Sequence, residues 1–228
     1  MLDEIDQRER VEVDSTNGRK WWRRVVVIVG AAVLVAALLV ASPDGTAGQI
    51  ADITVQGGEL TLAEGGARLV RDADGVFARA DIPTPAPGSY VYPSSDMTPP
   101  WSAPHPDVAP ADEDGPEVFT LWLFHFNHPE RCTDGACDLD DLGTDTAARG
   151  GAVQVDGRIT DGDRLVLEGR VRVGQPSADG AVLESPEGAE VHFAIAPHGR
   201  ALEGSDLWRQ LNGPIGNPTL WWTATFLP

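Results

Sequence analysis

Several residue types are scarce in this chain of 228 residues, and each scarcity excludes a class of protein. The two cysteines are too few for a disulfide-framework miniprotein, and the composition excludes a collagen and a wholly disordered chain. No lysine follows Lys20, and 35 acidic residues face only 17 basic ones. The resulting formal charge of −18 argues against nucleic-acid binding through phosphate contacts.

The named catalytic motifs are also missing from the sequence. It contains no G-x-S-x-G, no HExxH, no Walker loop and no GxGxxG. Acidic residues are abundant, but no pair of them stands out as a general acid and base. The sequence therefore predicts no catalytic residue, and a non-enzymatic role is favoured over an enzyme.

The longest apolar run, residues 25–41, predicts a membrane anchor. It has no polar side chain and would span roughly 25 Å as a helix, at the short end of what crosses a bilayer. Four cations crowd its N-terminal flank, so the positive-inside rule places residues 1–24 in the cytoplasm and residues 42–228 outside. We expect a single-pass cell-membrane protein; the alternative is cleavage near Ala47 and secretion.

Downstream of the apolar run, the pattern divides the chain into three stretches. Residues 42–82 predict short strands that join the exported domain, because Gly-rich turn signals separate them. Residues 83–116 contain 10 prolines and predict an extended segment, since proline lacks the donor that a central strand needs. Residues 117–228 predict the core β-domain.

The strongest strand signal is residues 118–127, VFTLWLFHFN, which are apolar on both faces and indicate a central strand. One helix in about 180 residues favours a mainly β fold, an antiparallel β-sandwich with a barrel as the alternative. We expect Pro197 to end the strand that contains it. The predicted strands are 50–55, 59–62, 68–70, 76–82, 118–127, 152–160, 164–173, 190–196 and 218–227, and the predicted helix is 205–212.

The two cysteines, Cys132 and Cys137, predict a disulfide. Outside the cytoplasm such a pair oxidises, and closing the short loop contributes roughly 2 kcal/mol through chain entropy. The alternative is a zinc site, since His125 and His128 extend the pattern to H-x2-H-x3-C-x4-C. We favour the disulfide because the predicted topology places the pair outside the cytoplasm.

Dense carboxylates follow the second cysteine. Residues 138–145, with Asp134 upstream, have the oxygen-rich composition that suits Ca²⁺, although the spacing is not that of an EF-hand. A solvated acidic loop is the favoured interpretation. No cofactor is predicted, and Ca²⁺ and Zn²⁺ are the alternatives.

Three further residues are candidates for binding. His192 and His198 flank a predicted strand, and we expect each to lie at the solvent edge with a hydrogen bond to a loop, with a metal or substrate role as the alternative. Trp221 would contact a polymer or partner protein if its ring pointed outward, although a core position is the commoner role for such a residue.

The run from Trp122 to Cys132 resembles a family of uncharacterised exported bacterial proteins. These proteins share a W-x-x-x-F-N-x-P-E-x-C…C core and an A-E-V-H…H-G segment, which this chain matches within about residues 117–200. The A-x-V-H strand is also similar to CHRD-type β-domains, whose repeated histidine pattern is missing here. The resemblance implies export and a β-fold but no established activity.

Together these features predict a membrane-anchored extracytoplasmic β-domain. We expect it to act as a binding or structural module at the cell surface, held in the membrane by residues 25–41, with a surface protein or polymer as partner and no nucleic acid. The alternative function is a metal-binding protein or metal-dependent enzyme. Its ligands would be nearby acids and four histidines, His125, His128, His192 and His198.

Overall fold

The computed structural model describes residues 40–41, 47–55, 60–86, 115–212 and 221–228. Within these ranges the chain forms ten strands, one α-helix and three short 3-10 helices. The strands are β1 Val40–Ala41, β2 Ala47–Val55, β3 Thr61–Asp72, β4 Gly75–Pro83, β5 Glu117–Phe126, β6 Gly150–Ile159, β7 Arg164–Arg172, β8 Asp179–Gly180, β9 Glu190–Arg200 and β10 Trp222–Phe226. The helix α1 is Gly204–Asn212, and the 3-10 helices are Pro129–Arg131, Thr133–Gly135 and Leu139–Asp141.

All named strands join one antiparallel sheet, which curls into a half-barrel. The order is β7-β4-β3-β2-β10-β9-β5-β6-β8, and β1 pairs with β2. The prediction of a mainly β, antiparallel fold is confirmed, but the prediction of a sandwich is wrong. Hydrogen bonds connect neighbouring strands from β7 to β8 without interruption, so one sheet encloses the core where a sandwich would use two.

The edge of the sheet at β7 approaches β6 without a backbone ladder between them among the described residues. A side chain bridges the two strands: the Asp156 carboxylate on β6 accepts the amide proton of Glu168 on β7, at 3.0 Å. At Gly169 the backbones approach so closely that a Cβ there would lie 2.5 Å from the Val155 carbonyl oxygen. We call this junction the seam.

Alternation along the strands fills the half-barrel with apolar side chains. On β5, Leu121 and Leu123 point inward while Trp122 and Phe124 point outward, as the period of two requires. The inward positions of the other strands are apolar as well, so side chains occupy the interior. The fully buried interior residues include Ile53, Leu69, Ile82, Phe119, Leu121, Leu123, Leu167, Phe193 and Ile195.

Strand β9 is longer than the sequence predicts, because Pro197 lies inside it. On one side, β9 pairs with β10, whose first paired residue, Trp222, lies opposite Ile195. Pro197 therefore lies beyond the end of β10. On the other side, Pro197 faces Phe119 where the register with β5 shifts. A proline needs no donor partner at such an irregularity, so the strand continues to Arg200.

Strands from the first predicted stretch are central to the sheet. Strands β2, β3 and β4 lie between β10 and β7, and β3 is one continuous strand where the sequence predicts two. The stretch 42–82 therefore does not merely join the core β-domain but builds it. Of the Pro-rich stretch, residues 87–114 lie outside the described residues.

The predicted anchor lies almost entirely outside the described residues. Only Val40 and Ala41 of residues 25–41 are described, and they form β1, which pairs with the start of β2. Residues 1–24 lie outside as well. Among the described ranges, no helix is both long enough and apolar enough to cross a membrane.

The two ends of the half-barrel differ in what they carry. At one end β2, β6 and β9 begin, β5 and β7 end, and the loop with the two cysteines follows β5. We call it the cystine end. At the other end α1 follows β9, and it packs back on the outer face of β5 and β6, where the Gln154 side chain, in the middle of β6, donates to the Leu211 carbonyl at 2.5 Å. We call it the helix end.

Candidate functional site

The loop at the cystine end, residues 127–149, packs on an aromatic cluster outside the half-barrel. Trp122, Phe124 and Phe126 alternate along β5 and form the cluster with Trp221 from the segment before β10. The loop contributes Cys137 and other apolar side chains to the same cluster. The aromatic residues of β5 are therefore buried on its outer face as well, which explains why this strand is apolar on both sides.

Cys132 and Cys137 form a disulfide, with their sulfur atoms 2.02 Å apart. The loop they close is also held by Asp141, which is 3 % exposed. One oxygen of its carboxylate accepts protons from the backbone amide and the hydroxyl of Thr133, both at 2.9 Å, and the other accepts from the amide of Asp138 at 3.1 Å. The predicted disulfide is confirmed, and a buried carboxylate orders the same loop.

The carboxylates proposed as Ca²⁺ ligands make local hydrogen bonds. Besides the bonds of Asp141, the Asp138 side chain accepts the amide proton of Asp140 at 2.8 Å, which caps a 3-10 turn. In the described part of the chain, no group of three or more His, Cys, Asp or Glu side chains is close enough to share a metal ion. The interpretation of residues 138–145 as a solvated acidic loop fits the exposed Asp140 and Asp145 but not Asp141, which is buried.

A zinc site would need the His125 side chain close to the two cysteines, but the fold places His125 and the cysteines on opposite faces of β5. His125 points into the half-barrel, whereas the disulfide lies on the outer face of β5. Both cysteines are engaged with each other and offer no thiolate. His128, in the loop itself, lies 3.8 Å from the carboxylate of Glu130.

His125 instead holds the segment that closes the cystine end. This segment, residues 173–189, is called the plug here; it contributes buried residues such as Leu183 to the core. His125 is 1 % exposed, and its Nε2 lies 3.1 Å from the Ala181 carbonyl. Burial lowers the pKa of His125, although hydrogen bonds to plug carbonyls and the charge of Glu184 oppose that effect.

Asn127 holds the same plug from the end of β5. Its amide nitrogen donates to the carbonyls of Val182 and Arg149 at 2.9 and 2.8 Å, and its carbonyl oxygen accepts the amide proton of Glu184 at 2.8 Å. The carboxylate of Glu184 in turn contacts the guanidinium of Arg149 at 2.6 Å. The plug and the cystine loop are therefore connected through one polar side chain.

Arg71 completes the closure from β3. It lies two positions after the buried Leu69 and so faces the interior at the cystine end. Its guanidinium donates to the plug carbonyls of Pro186 and Ala189, at 2.5 and 2.7 Å, and to that of Leu227 at 3.2 Å. Burial lowers the pKa of Arg71. One side chain thus joins β3, the plug and the end of β10.

The prediction that His198 lies at the solvent edge is wrong, because β9 continues past Pro197 and places His198, at 0 % exposure, in a buried polar group at the helix end. The Nε2 of His198 lies 2.7 Å from the Thr120 hydroxyl, which also accepts the indole proton of Trp122 at 3.2 Å. The Gln210 side chain of α1 donates to the carbonyls of His198 and Arg200, both at 3.0 Å. These bonds attach α1 to the end of β9.

His192 is the one histidine of β9 near the surface, and it pairs with a carboxylate. Its Nε2 lies 2.6 Å from the Glu190 carboxylate, with side-chain exposures of 22 % and 12 %. Its ring packs against Phe126 with the centroids 5.2 Å apart. The four histidines therefore occupy four separate environments: the interior, the cystine loop, the surface of β9 and the helix end.

Trp221 does not meet the condition for a binding role, because its ring points into the molecule. It is 4 % exposed and packs against Phe124, with the ring centroids 5.4 Å apart. Of the tryptophans in the described part of the chain, the exposed one is Trp208 of α1, which is 65 % exposed. The hydrophobic effect favours burial of Trp221, because the segment before β10 places its ring on the aromatic cluster.

Comparisons with protein-family models, with curated proteins and with solved structures find no match for this chain. The resemblance to exported bacterial proteins therefore stays a prediction. The structure itself shows four important polar residues that sequence reasoning missed, namely Arg71, Asn127, Asp141 and Gln210. The only signal for Arg71 was a charged residue at an inward position of an alternating strand.

Proposed function

We propose that the chain is a membrane-anchored extracytoplasmic β-domain that acts as a binding or structural module at the cell surface. The observation that carries this proposal is the Cys132–Cys137 disulfide, since such bonds persist in oxidising compartments and are rare in reducing ones. The apolar run of residues 25–41 supports it, as does the cluster of cations before that run.

The construction of the half-barrel supports a binding or structural role. Apolar side chains fill its interior, so a partner would contact the outside of the sheet or its loops. The buried residues His125 and Asn127 and the half-buried Arg71 are engaged with backbone carbonyls of the plug and the loop beside it. They support the framework, which suits a rigid scaffold that presents a surface.

A thiol-accessibility experiment on intact cells tests the location. Cells that produce the full chain are treated with a membrane-impermeant reductant and then with an impermeant maleimide. We expect both cysteines to be labelled without lysis and only after reduction, and the product to sediment with membranes. The matched control is the double variant Cys132→Ser/Cys137→Ser, which should take up no label. Reduced thiols on a product dissolved in the cytosol would contradict the proposal.

Metal analysis of the purified full chain tests the second class of function. The four candidate histidines lie in four separate environments, which favours the binding module over a metal enzyme. A stoichiometric metal ion that is lost in His192→Ala or in His128→Ala would reverse that preference. The matched control is Asn212→Ala, an exposed position on α1 far from both histidines in the sequence.

A further inference from the structure

The outer face of β3, β4 and β7 carries arginines around one aromatic ring. Phe77 of β4 points outward, because it alternates with residues that face the core. Across the sheet it lies between Val70 on β3 and Arg170 on β7. Three more arginines occupy positions next to Phe77 on this face, namely Arg68, Arg79 and Arg172. We call Phe77 and these four arginines the arginine patch.

The arginine patch is positive in a chain whose formal charge is −18. Of the eight sheet positions around Phe77, four hold arginine and two hold an acid, Asp72 and Glu168, which leaves a local excess of two positive charges. Asp74 of the adjoining turn reduces this excess without reversing it. Charges beyond a Debye length, about 8 Å at physiological salt, are screened, so a group bound here meets the local charge and not the net charge of the chain.

The arginine patch is accessible, and its side chains are held in place. Arg170 pairs with Asp72, and Arg79 pairs with Glu168 at 2.7 Å. Arg172 is exposed and forms no ion pair with another described residue. In the described part of the chain no helix packs on this face, whereas α1 packs on β5 and β6. Strand β4 is paired on both sides, so a partner would contact side chains here and could not add a strand.

The cystine loop carries the complementary surface. Leu139 begins a 3-10 turn in this loop and is 41 % exposed, and Asp138 and Asp140 flank it in the sequence. Residues 127–149 contain six acids and two arginines. The disulfide and the buried Asp141 order the loop, so binding would cost it little conformational entropy. An exposed apolar side chain among acids thus matches an exposed ring among arginines.

One copy of the chain cannot bring these two surfaces together. The cystine loop packs on the outer face of β5, and β2, β10 and β9 separate β5 from β3 in the sheet. The two surfaces therefore lie on different sides of the half-barrel. A contact between them has to join two copies head to tail, which produces rows or rings of copies.

We infer that the arginine patch of one copy binds the cystine loop of a second copy, with Leu139 against Phe77 and the aspartates of the loop against the arginines. This inference rests on the structural role proposed above and does not need the membrane location. The patch covers three strands and five residues, roughly 10 by 13 Å, far less than the about 800 Å² that each partner buries in a standard interface. The contact is therefore weak and forms where copies are crowded.

Sedimentation velocity of the full chain in mild detergent, with the solvent matched to the density of the micelle, tests the contact. We expect the mass of the native chain to rise with its concentration. Arg172→Glu and Asp140→Arg should each weaken the association at least about tenfold, because each places like charges face to face. An equimolar mixture of the two variants should recover it, since the loop of the first still fits the patch of the second. The matched control is Arg209→Glu on α1, which should leave it unchanged.

The outcomes separate this contact from other kinds of association. A native chain that stays monomeric at every concentration would overturn the inference. So would association that neither variant weakens, because residues 25–41 or another surface would then be responsible. Loss in both variants without recovery in the mixture would refute the pairing of these two surfaces. The thiol-accessibility experiment tests the location separately, so either proposal can fail without the other.

Discussion

Replacing Arg71 by methionine should destabilise the domain strongly, because it removes the side chain that joins β3, the plug and the end of β10. The variant keeps most of the aliphatic stem but loses every guanidinium bond. The two shortest of these bonds reach Pro186 and Ala189 at 2.5 and 2.7 Å. A hydrogen bond to a charged group contributes about 1.5–3 kcal/mol, and a buried acceptor left without a partner adds its own penalty.

The expected loss is less than the sum of these bonds, since burial also disfavours the guanidinium, as the lowered pKa of Arg71 indicates. We expect a loss of about 3 kcal/mol, which for a domain of this size lowers Tm by about 6–12 °C. Arg71→Lys should lose less, because an ammonium keeps the charge but not the planar fork of donors.

Urea unfolding of the full chain in mild detergent, followed by tryptophan fluorescence, measures this loss. The matched control is Arg172→Met on β7, where the arginine is exposed at the same end of the sheet and the change should cost less than about 0.5 kcal/mol. Hydrogen exchange should also accelerate in the plug of the Arg71 variant only. If the two variants were equally stable, the role assigned to Arg71 would be wrong.

Three further predictions concern the cystine loop, the interior histidine and the seam. Removing the disulfide with Cys132→Ser/Cys137→Ser should cost about 2 kcal/mol in urea unfolding yet leave the loop ordered by Asp141, so loss of native loop resonances would contradict this. Because the pKa of His125 is lowered on folding, the contribution of His125 to stability should be constant above about pH 6.5 and fall below it by up to about 1.4 kcal/mol per pH unit; His125→Asn should lack this component between pH 7.5 and 5.5. Gly169→Ala should cost about 1–3 kcal/mol because its Cβ would meet the Val155 carbonyl, whereas Gly188→Ala, whose Cβ would lie 3.7 Å from the nearest atom, should be neutral.

Local patterns predict most of the strands, because alternation depends only on neighbours in the sequence. Strand β5 is predicted within one residue at either end, and α1 likewise. The composition also predicts the mainly β class. These successes share a cause: each depends on a periodicity or a turn signal that a short window contains.

The path of the sheet depends on contacts between residues that are distant in the sequence. A half-barrel and a sandwich give the same alternation, so nothing local distinguishes them. Pro197 fits inside β9 only because β10 has already ended and β5 shifts its register there. Both facts are properties of neighbouring strands, which explains why the sequence predicts an end at this proline.

In the candidate site too, features that depend on neighbours in the sequence could be predicted, and features that depend on long-range contacts could not. The disulfide could be predicted because its two partners are the only cysteines and lie close together in the chain. The role of Arg71 could not, since its acceptors on the plug lie 115 and 118 residues away. The burial of the Trp221 ring could not be predicted either, because the ring packs on an aromatic cluster that β5, a strand distant in the sequence, provides.

Because no backbone ladder joins β6 and β7 among the described residues, the half-barrel is an open sheet and not a closed barrel. The two strands meet only at the seam. Parting β6 and β7 breaks the Asp156–Glu168 hydrogen bond but no backbone ladder. Most other neighbouring strands pair along five to nine residues, and even β10 and β2 pair at two. Breathing motions of the domain should therefore start at this line. Water would first reach the core beside Leu167, and the amides of β7, the terminal strand at this line, would exchange before those of β4 and β3.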